Sequence, residues 1–167
     1  MTSTYEMIAT TTVTGSSVAD VTFSTISGSY TDIVVVAQIK IQSTTSATVF
    51  QLNGDTGSNY SYTVLTGTGS AANSSRATNA TYGIVDFNGY PPTAANTFNA
   101  VLMSFNNYSN STTNKTALSR ANSAGSGVDA LVSLWRNTAA ITSIKFFNTG
   151  ANISVGSTFT LYGIKAE

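Results

Sequence analysis

The sequence predicts an all-β fold, an antiparallel two-sheet β-sandwich of jelly-roll type with about ten strands, as a single domain over residues 1–167. Three observations predict it. Short segments rich in Thr, Val, Ile, Tyr and Phe, which fit a pleated and half-buried surface, recur with turn-formers between them. No segment sustains a helical period over about eleven residues. The closing run Phe159-Thr-Leu-Tyr-Gly-Ile164 sets Phe159, Leu161 and Ile164 beside polar Thr160 and Lys165. A terminal strand with that much apolar area is expected to be tied into the core, because free termini fray.

In chain order, Tyr5–Val13 and Val18–Phe23 flank Thr14-Gly15-Ser16-Ser17, read as a hairpin turn. Asp32–Gln42 is the strongest strand. Its continuous run Ile33–Ala37 predicts burial on both faces, before alternation sets in at Ile39-Lys40-Ile41-Gln42. Thr48–Leu52 follows, then the turn Asn53-Gly-Asp-Thr-Gly-Ser-Asn59, rich in residues that tolerate positive φ. Tyr60–Leu65 puts Tyr60, Tyr62 and Val64 in one phase, while Gly67–Asn79 is polar and aperiodic and reads as a loop. Ala80–Phe87, Phe98–Phe105, Thr116–Ala121, Asp129–Trp135 and Ile141–Phe147 supply further strands. Both prolines fall in Asn88–Pro92, between strands, where a missing N–H costs no ladder bond. An immunoglobulin-like sandwich is the structural alternative, although its Cys…Trp…Cys pattern is missing.

Composition narrows the function classes. A chain of this length buries about two-thirds of its unfolded surface without a staple, and with no cysteine it forms no disulfide. Ser, Thr and Asn make up about two residues in five, and charged residues 8%, against roughly 25% in ordinary domains. With 41% hydrophobic residues, eight Tyr and eight Phe, the chain nevertheless has the means to build a core. Seven basic and seven acidic residues cancel, so no basic patch is expected to hold nucleic acid. The longest apolar run, Ile33–Ala37, is too short to span a bilayer, and Met1–Met7 has neither the basic region nor the apolar stretch of a signal peptide. Weak charge leaves a surface poorly protected against association. Drift in a small β protein accounts for that composition; the sharper expectation is a surface covered by copies of the chain or by a larger assembly.

The absence of histidine and cysteine removes His-based serine triads, thiol nucleophiles and ordinary zinc sites. The carboxylates Glu6, Asp20, Asp32, Asp55, Asp86, Asp129 and Glu167 are scattered, each at a strand end or turn, and read as solvated turn residues rather than a glycosidase pair. No catalytic residue and no cofactor is expected. Asn53, Asp55 and Asn59 stand at odd positions of their turn, loosely like a calcium loop, but with a single carboxylate; turn chemistry is the preferred account. Trp135 with Arg136, and Tyr60, Tyr62, Tyr82 and Tyr90, could stack sugars. Core placement is the better reading for Trp135, which directly follows Leu131, Val132 and Leu134.

Three segments resemble jelly-roll structural proteins of tailed bacteriophages, of the kind found in phages of cyanobacteria and other aquatic bacteria. Phe50-Gln-Leu-Asn-Gly-Asp-Thr-Gly-Ser-Asn-Tyr60 is similar to their F-N-G-D-x-G-x-N-Y hairpin, and Trp135 with Ile141 and Ile144 to their W-x-x-x-x-x-I-x-x-I strand pair. Phe159–Lys165 is similar to their closing strand, and together the segments span about residues 50–165. The resemblance implies a virion structural role and no catalytic residues. Such domains serve as capsid decoration (cement) proteins or as parts of tail fibres.

A first strand close to Met1 leaves no room ahead of it for a trimerising shaft, which favours decoration. That role implies the outer capsid surface, the major capsid protein as partner, and self-association as trimers or clusters matched to an icosahedral lattice. The edge strands and loops, Gly67–Asn79 among them, are the expected contacts. The alternative is a tail-fibre or receptor-binding domain that recognises host surface polysaccharide.

Overall fold

The computed structural model describes residues 4–41, 46–87, 97–123 and 125–165. The proline loop Asn88–Pro92 with Tyr90, and Glu167, lie outside these residues. The strands are β1 (Tyr5–Thr12), β2 (Asp20–Phe23), β3 (Asp32–Ile39), β4 (Thr48–Leu52), β5 (Tyr60–Gly67), β6 (Ala72–Ala80), β7 (Gly83–Asp86), β8 (Asn99–Asn106), β9 (Lys115–Ser123), β10 (Gly127–Trp135), β11 (Ile144–Asn148) and β12 (Thr158–Ile164). They form an eight-stranded sheet in the order β1-β12-β3-β8-β9-β10-β5-β6 and a four-stranded sheet in the order β2-β11-β4-β7. Every named pairing is antiparallel.

The nesting of these pairs gives the jelly roll. β1 pairs with β12, β2 with β11, β3 with β8 and β4 with β7, so a long hairpin is wound with its successive strands alternating between sheets. The pairs β5–β6 and β9–β10 are additions that extend the large sheet beyond β8. The fold class read from the sequence is therefore the one observed.

Several local expectations change. Thr14–Ser17 is not a hairpin turn, because β1 and β2 lie in different sheets; the chain crosses there, with Gly15 at φ 73°. Asn53–Asn59 is a turn, as read from the sequence, and it carries the chain from β4 in the small sheet to β5 in the large one, with Asn53 at φ 52° and Gly54 at φ 69°. Gly67–Asn79 is not a loop: β6 occupies most of it, in register with β5 from Ala72 opposite Gly67 to Ala80 opposite Tyr60. As an edge strand exposed along most of its length, with only Ala77 and Ala80 half-buried, it carries no alternation in its sequence. Burial on both faces of β3 holds for Ile33, Val34 and Val35 but ends at Val36, which is 44% exposed. Ile141 precedes β11 instead of opening it; it is buried, and its N–H donates to Tyr108 O.

Phe159 and Leu161 of β12 sit between β1 and β3, fully buried with Ile33, Phe105, Phe146 and Trp135 in the core between the sheets. β7 is buried on both faces. Val85 joins this core, while Ile84 packs with Val49, Val64 and Leu131 in a second cluster. The large sheet thus curls round the β7 edge of the small one. Gly83 makes the close approach possible, since a Cβ there would lie 2.2 Å from the Phe50 ring.

Candidate functional site

The turn after β4 is fastened to the core by hydrogen bonds. Trp135 Nε1 donates to Asp55 Oδ2 at 2.7 Å, Asn59 Nδ2 donates to the same oxygen at 2.9 Å, and Gly57 N donates to Oδ1 at 2.8 Å. Asn53 faces another way, accepting from Thr142 N and Ser143 N through Oδ1 and donating to Ala140 O. Of the three residues of the calcium reading, Asp55 and Asn59 thus bond to each other, while Asn53 is spent on the segment before β11. Tyr60, stacked on Trp135 with ring centroids 6.4 Å apart, accepts from Leu52 N and donates to Asp55 O. Burial pushes the Tyr60 hydroxyl up to about 12.

Burial pushes the Asp55 carboxyl up, but the hydrogen bonds from Trp135, Asn59 and Gly57 outweigh it and hold the group below its ordinary value. The folded state then binds fewer protons than the unfolded chain between the two values. The stabilisation is complete above the unfolded value and is lost as pH falls through the folded one. Urea midpoints measured from about pH 6 down to about pH 2 are expected to fall, and the Asp55→Asn variant to show a shallower fall. Glu6, held low by its hydrogen bond from Lys165, keeps its own share in that variant.

The remaining carboxylates do not gather into one site. Glu6 pairs with Lys165 at 2.9 Å, Asp20 with Lys145 at 3.5 Å, and Asp32 accepts from Asn107 N at 2.7 Å. Among the described residues, no three Asp or Glu converge. Two of them correct the sequence reading: Asp86 and Asp129 are buried, not solvated. Asp129 occupies an inward position of β10, where it accepts from Thr66 Oγ1 and from Phe87 N at 3.0 Å. Ser133 Oγ accepts from Ile84 N at 3.1 Å, and Ser119 Oγ donates to Val85 O at 2.9 Å. These side chains satisfy the edge of β7 that has no strand beside it and seal the sandwich along that seam. Their signal in the sequence is phase: Ser119 alternates with buried Ala117 and Ala121, and Ser133 and Asp129 with Leu131 and Trp135.

Among the described residues the sugar platform does not form. Trp135 and Tyr60 are core residues, and Arg136 hydrogen bonds to Ser61 Oγ, Ser58 O and Asn79 Oδ1. Tyr62 and Tyr82 are half-buried, packing against Phe87 and Phe147 respectively.

What the molecule presents instead is the outer face of the large sheet. Strand registers bring Met7, Tyr162, Val34, Leu118 and Val132 into one row across the sheet, with Ser104 and Thr63. Val36, Leu102, Ala130 and Leu65 form the next row, with Arg120. Leu118 is 55% exposed and Leu65 57%. A trough of about 540 Å³ crosses this face between Tyr5, Val34, Leu102, Leu118 and Arg120. This face is hidden in the sequence, because its apolar residues are dispersed over separate strands and meet only through register; in β10 the outward residues Val128, Ala130 and Val132 are as apolar as the inward ones.

No family model and no curated protein matches the chain. Among solved structures, it is similar to alginate lyase Aly36B at 12% identity over 93% of this chain and 77% of the other, with a TM-score of 0.35. At that level the similarity says nothing about site or activity.

Proposed function

We propose that the chain is a non-catalytic structural domain of a tailed-phage virion, acting as a capsid decoration protein that binds the major capsid protein and copies of itself on the outer shell. The observation that carries this reading is the outer face of the large sheet. Scattered surface apolar residues are ordinary, but rows of them across adjacent strands mark a surface that is covered in use. The virion assignment rests on the resemblance of the Phe50–Tyr60, Trp135–Ile144 and Phe159–Lys165 segments to phage jelly rolls. In this fold those segments build the crossover turn, the end of β10 with the approach to β11, and β12, so they support a scaffold role and assign no contact residues. Edge strand β6 pairs on one side only with β5 among the described residues and offers its other backbone ladder to a neighbour. Repetition over a symmetric lattice turns many weak contacts into firm attachment.

A tail-fibre domain that holds host polysaccharide is the second reading. It is favoured by the trough beside Tyr5 and Arg120, whose volume suits a short glycan. Electron microscopy of virions carrying the labelled protein separates the two. Label over the capsid is expected, together with earlier loss of DNA on heating in particles that lack the protein. Label restricted to the tail would replace the proposal with the second reading.

A further inference from the structure

The outer face of the large sheet carries almost no charge. Among the described residues, strands β1, β12, β3, β8, β9, β10 and β5 hold five charged side chains: Glu6, Asp32, Lys115, Arg120 and Asp129. Lys115 and Asp129 are buried inside, and Glu6 lies opposite Gly163 in the inward phase of Ile33. That leaves one acid and one base outside, half-buried Asp32 and exposed Arg120, with Arg76 beyond them on edge strand β6. Among the described residues neither Asp32 nor Arg120 takes part in an ion pair within the chain. Register sets Asp32 opposite Asn106 and Arg120 opposite Leu102, on the strands either side of β8, so Ser104 stands midway between the two charges. Two strand spacings across and four residues along separate them by about 17 Å, too far for them to pair in one copy. Ser104 is also the small residue at the centre of the apolar patch. It is flanked by Val34 and Leu118 across the strands and by Leu102 along β8, and all four line the trough of about 540 Å³.

We infer that this face closes on a second copy of the chain, as a two-fold dimer. The axis runs between the two faces over Ser104, at right angles to the line from Asp32 to Arg120. A two-fold brings residue i of one copy to residue j of the other, and j to i. Each Arg120 therefore meets the partner's Asp32, and two charge-matched pairs flank an apolar centre and fix its register. The same symmetry sets Leu102 and Leu118 of one copy over the trough of the other, so each face supplies both the projecting side chains and the hollow that receives them. Leu102, Leu118, Val36 and Val132 are 39–55% exposed, which leaves apolar area for a partner to bury. Seven strands of about eight residues give a face of about 30 by 25 Å, and a specific interface takes about 800 Å² from each copy. Homodimer interfaces are more apolar than the rest of a surface and poor in charge at their core, as this face is. The inference rests on the covered outer face of the virion reading and names its occupant, which leaves edge strand β6 and the loops for the shell protein.

The test is sedimentation of the purified full chain at about 1–100 μM, where an interface of this size associates, with circular dichroism to check the fold of each variant. A dimer is expected. Leu118→Glu is expected to raise its dissociation constant about 100-fold or more, because the two-fold puts the change into the contact twice. Arg120→Asp and Asp32→Arg each set like charges together and are expected to be monomers alone. Mixed in equal amounts they are expected to form the heterodimer, in which both pairs match again. If Asp32→Arg fails to fold, Asp32→Asn keeps an acceptor for the Asn107 N–H, and its loss of affinity and that of Arg120→Gln are expected not to add in the double variant. A chain that stays monomeric throughout, a dimer that survives Leu118→Glu, or charge variants that neither recombine nor couple would overturn the inference. A monomer whose trough takes up polysaccharide would overturn it in favour of that ligand. The virion reading is judged separately, by where the label lies on the particle.

Discussion

Trp135→Ala is expected to be among the most damaging single substitutions in this protein, with a loss of about 3–5 kcal/mol and a fall in Tm of about 6–20 °C. The indole is 2% exposed and stacks on Tyr60, so its removal opens a cavity that the ladder of β10 against β9 and β5 cannot collapse to fill. Its N–H also leaves Asp55, and the carboxylate is then held by Asn59 and Gly57 alone. Register places buried Lys115 opposite Trp135, with its ammonium held by Thr113 O and Thr138 O and pushed down in pKa by burial. A cavity at this point borders a cation that has no carboxylate among those hydrogen bonds. Circular dichroism melts give the loss. Trp135→Phe separates its parts: it keeps most of the ring, is expected to cost less than half as much, and is expected to show an acid slope between those of the unmutated protein and Asp55→Asn, because Asn59 and Gly57 still hold the carboxylate. A Trp135→Phe slope equal to that of the unmutated protein would mean that the indole N–H does not set the Asp55 titration.

The parts of the fold legible in the sequence are those written as alternation within one strand. β4 is found at its observed bounds because Thr48–Leu52 is apolar between turn-formers, and β12 because Phe159 and Leu161 stand in phase. Sheet assignment is a different matter. Gly15 and Asn53-Gly54 announce a change of direction, and the same residues serve a hairpin and a crossover equally well. β6 escapes because its order comes from backbone bonds to β5, and a strand that buries no side chain fully has no hydrophobic phase to show. Asp129 is misread for the opposite reason. A carboxylate at the start of an apolar run looks like a solvated strand end, and nothing local reveals that β7 will arrive with an N–H to satisfy.

The outer face and the seam share one cause. A jelly roll of eight strands would give two matched sheets, but the additions β5–β6 and β9–β10 all join the large one. The small sheet, with four strands against eight, covers part of the inner face, so the large sheet curls round β7 to bury the remainder. That curl places hydroxyls and a carboxylate against the edge of β7, where a ninth or tenth strand would otherwise have to pair. Among the described residues, nothing comparable covers the other face. Leu118, Val132, Leu102 and Val36 stay exposed because the described residues form no third layer, and this is why the adhesive reading starts from that surface.

Asp129→Ala is the second large effect, expected at about 2–4 kcal/mol from two buried donors that lose their acceptor. The carboxylate is fully buried, receiving the Thr66 hydroxyl on one oxygen and the Phe87 amide on the other. Alanine supplies no acceptor, so the Phe87 N–H loses its partner beside Ile84 and Leu131. Asp129→Asn tells the two bonds apart. Its single oxygen can stay on the Phe87 amide, and the Thr66 hydroxyl can rotate to accept from the new NH₂, so the expected cost is under half that of alanine. Hydrogen exchange supplies the local readout. The Phe87 amide should exchange far faster in Asp129→Ala and nearly as slowly as before in Asp129→Asn, while amides of β12 change only by the global loss of stability. Equal exchange at Phe87 in both variants would mean that β7 is held by packing of Ile84 and Val85 rather than by the hydrogen bonds along its edge.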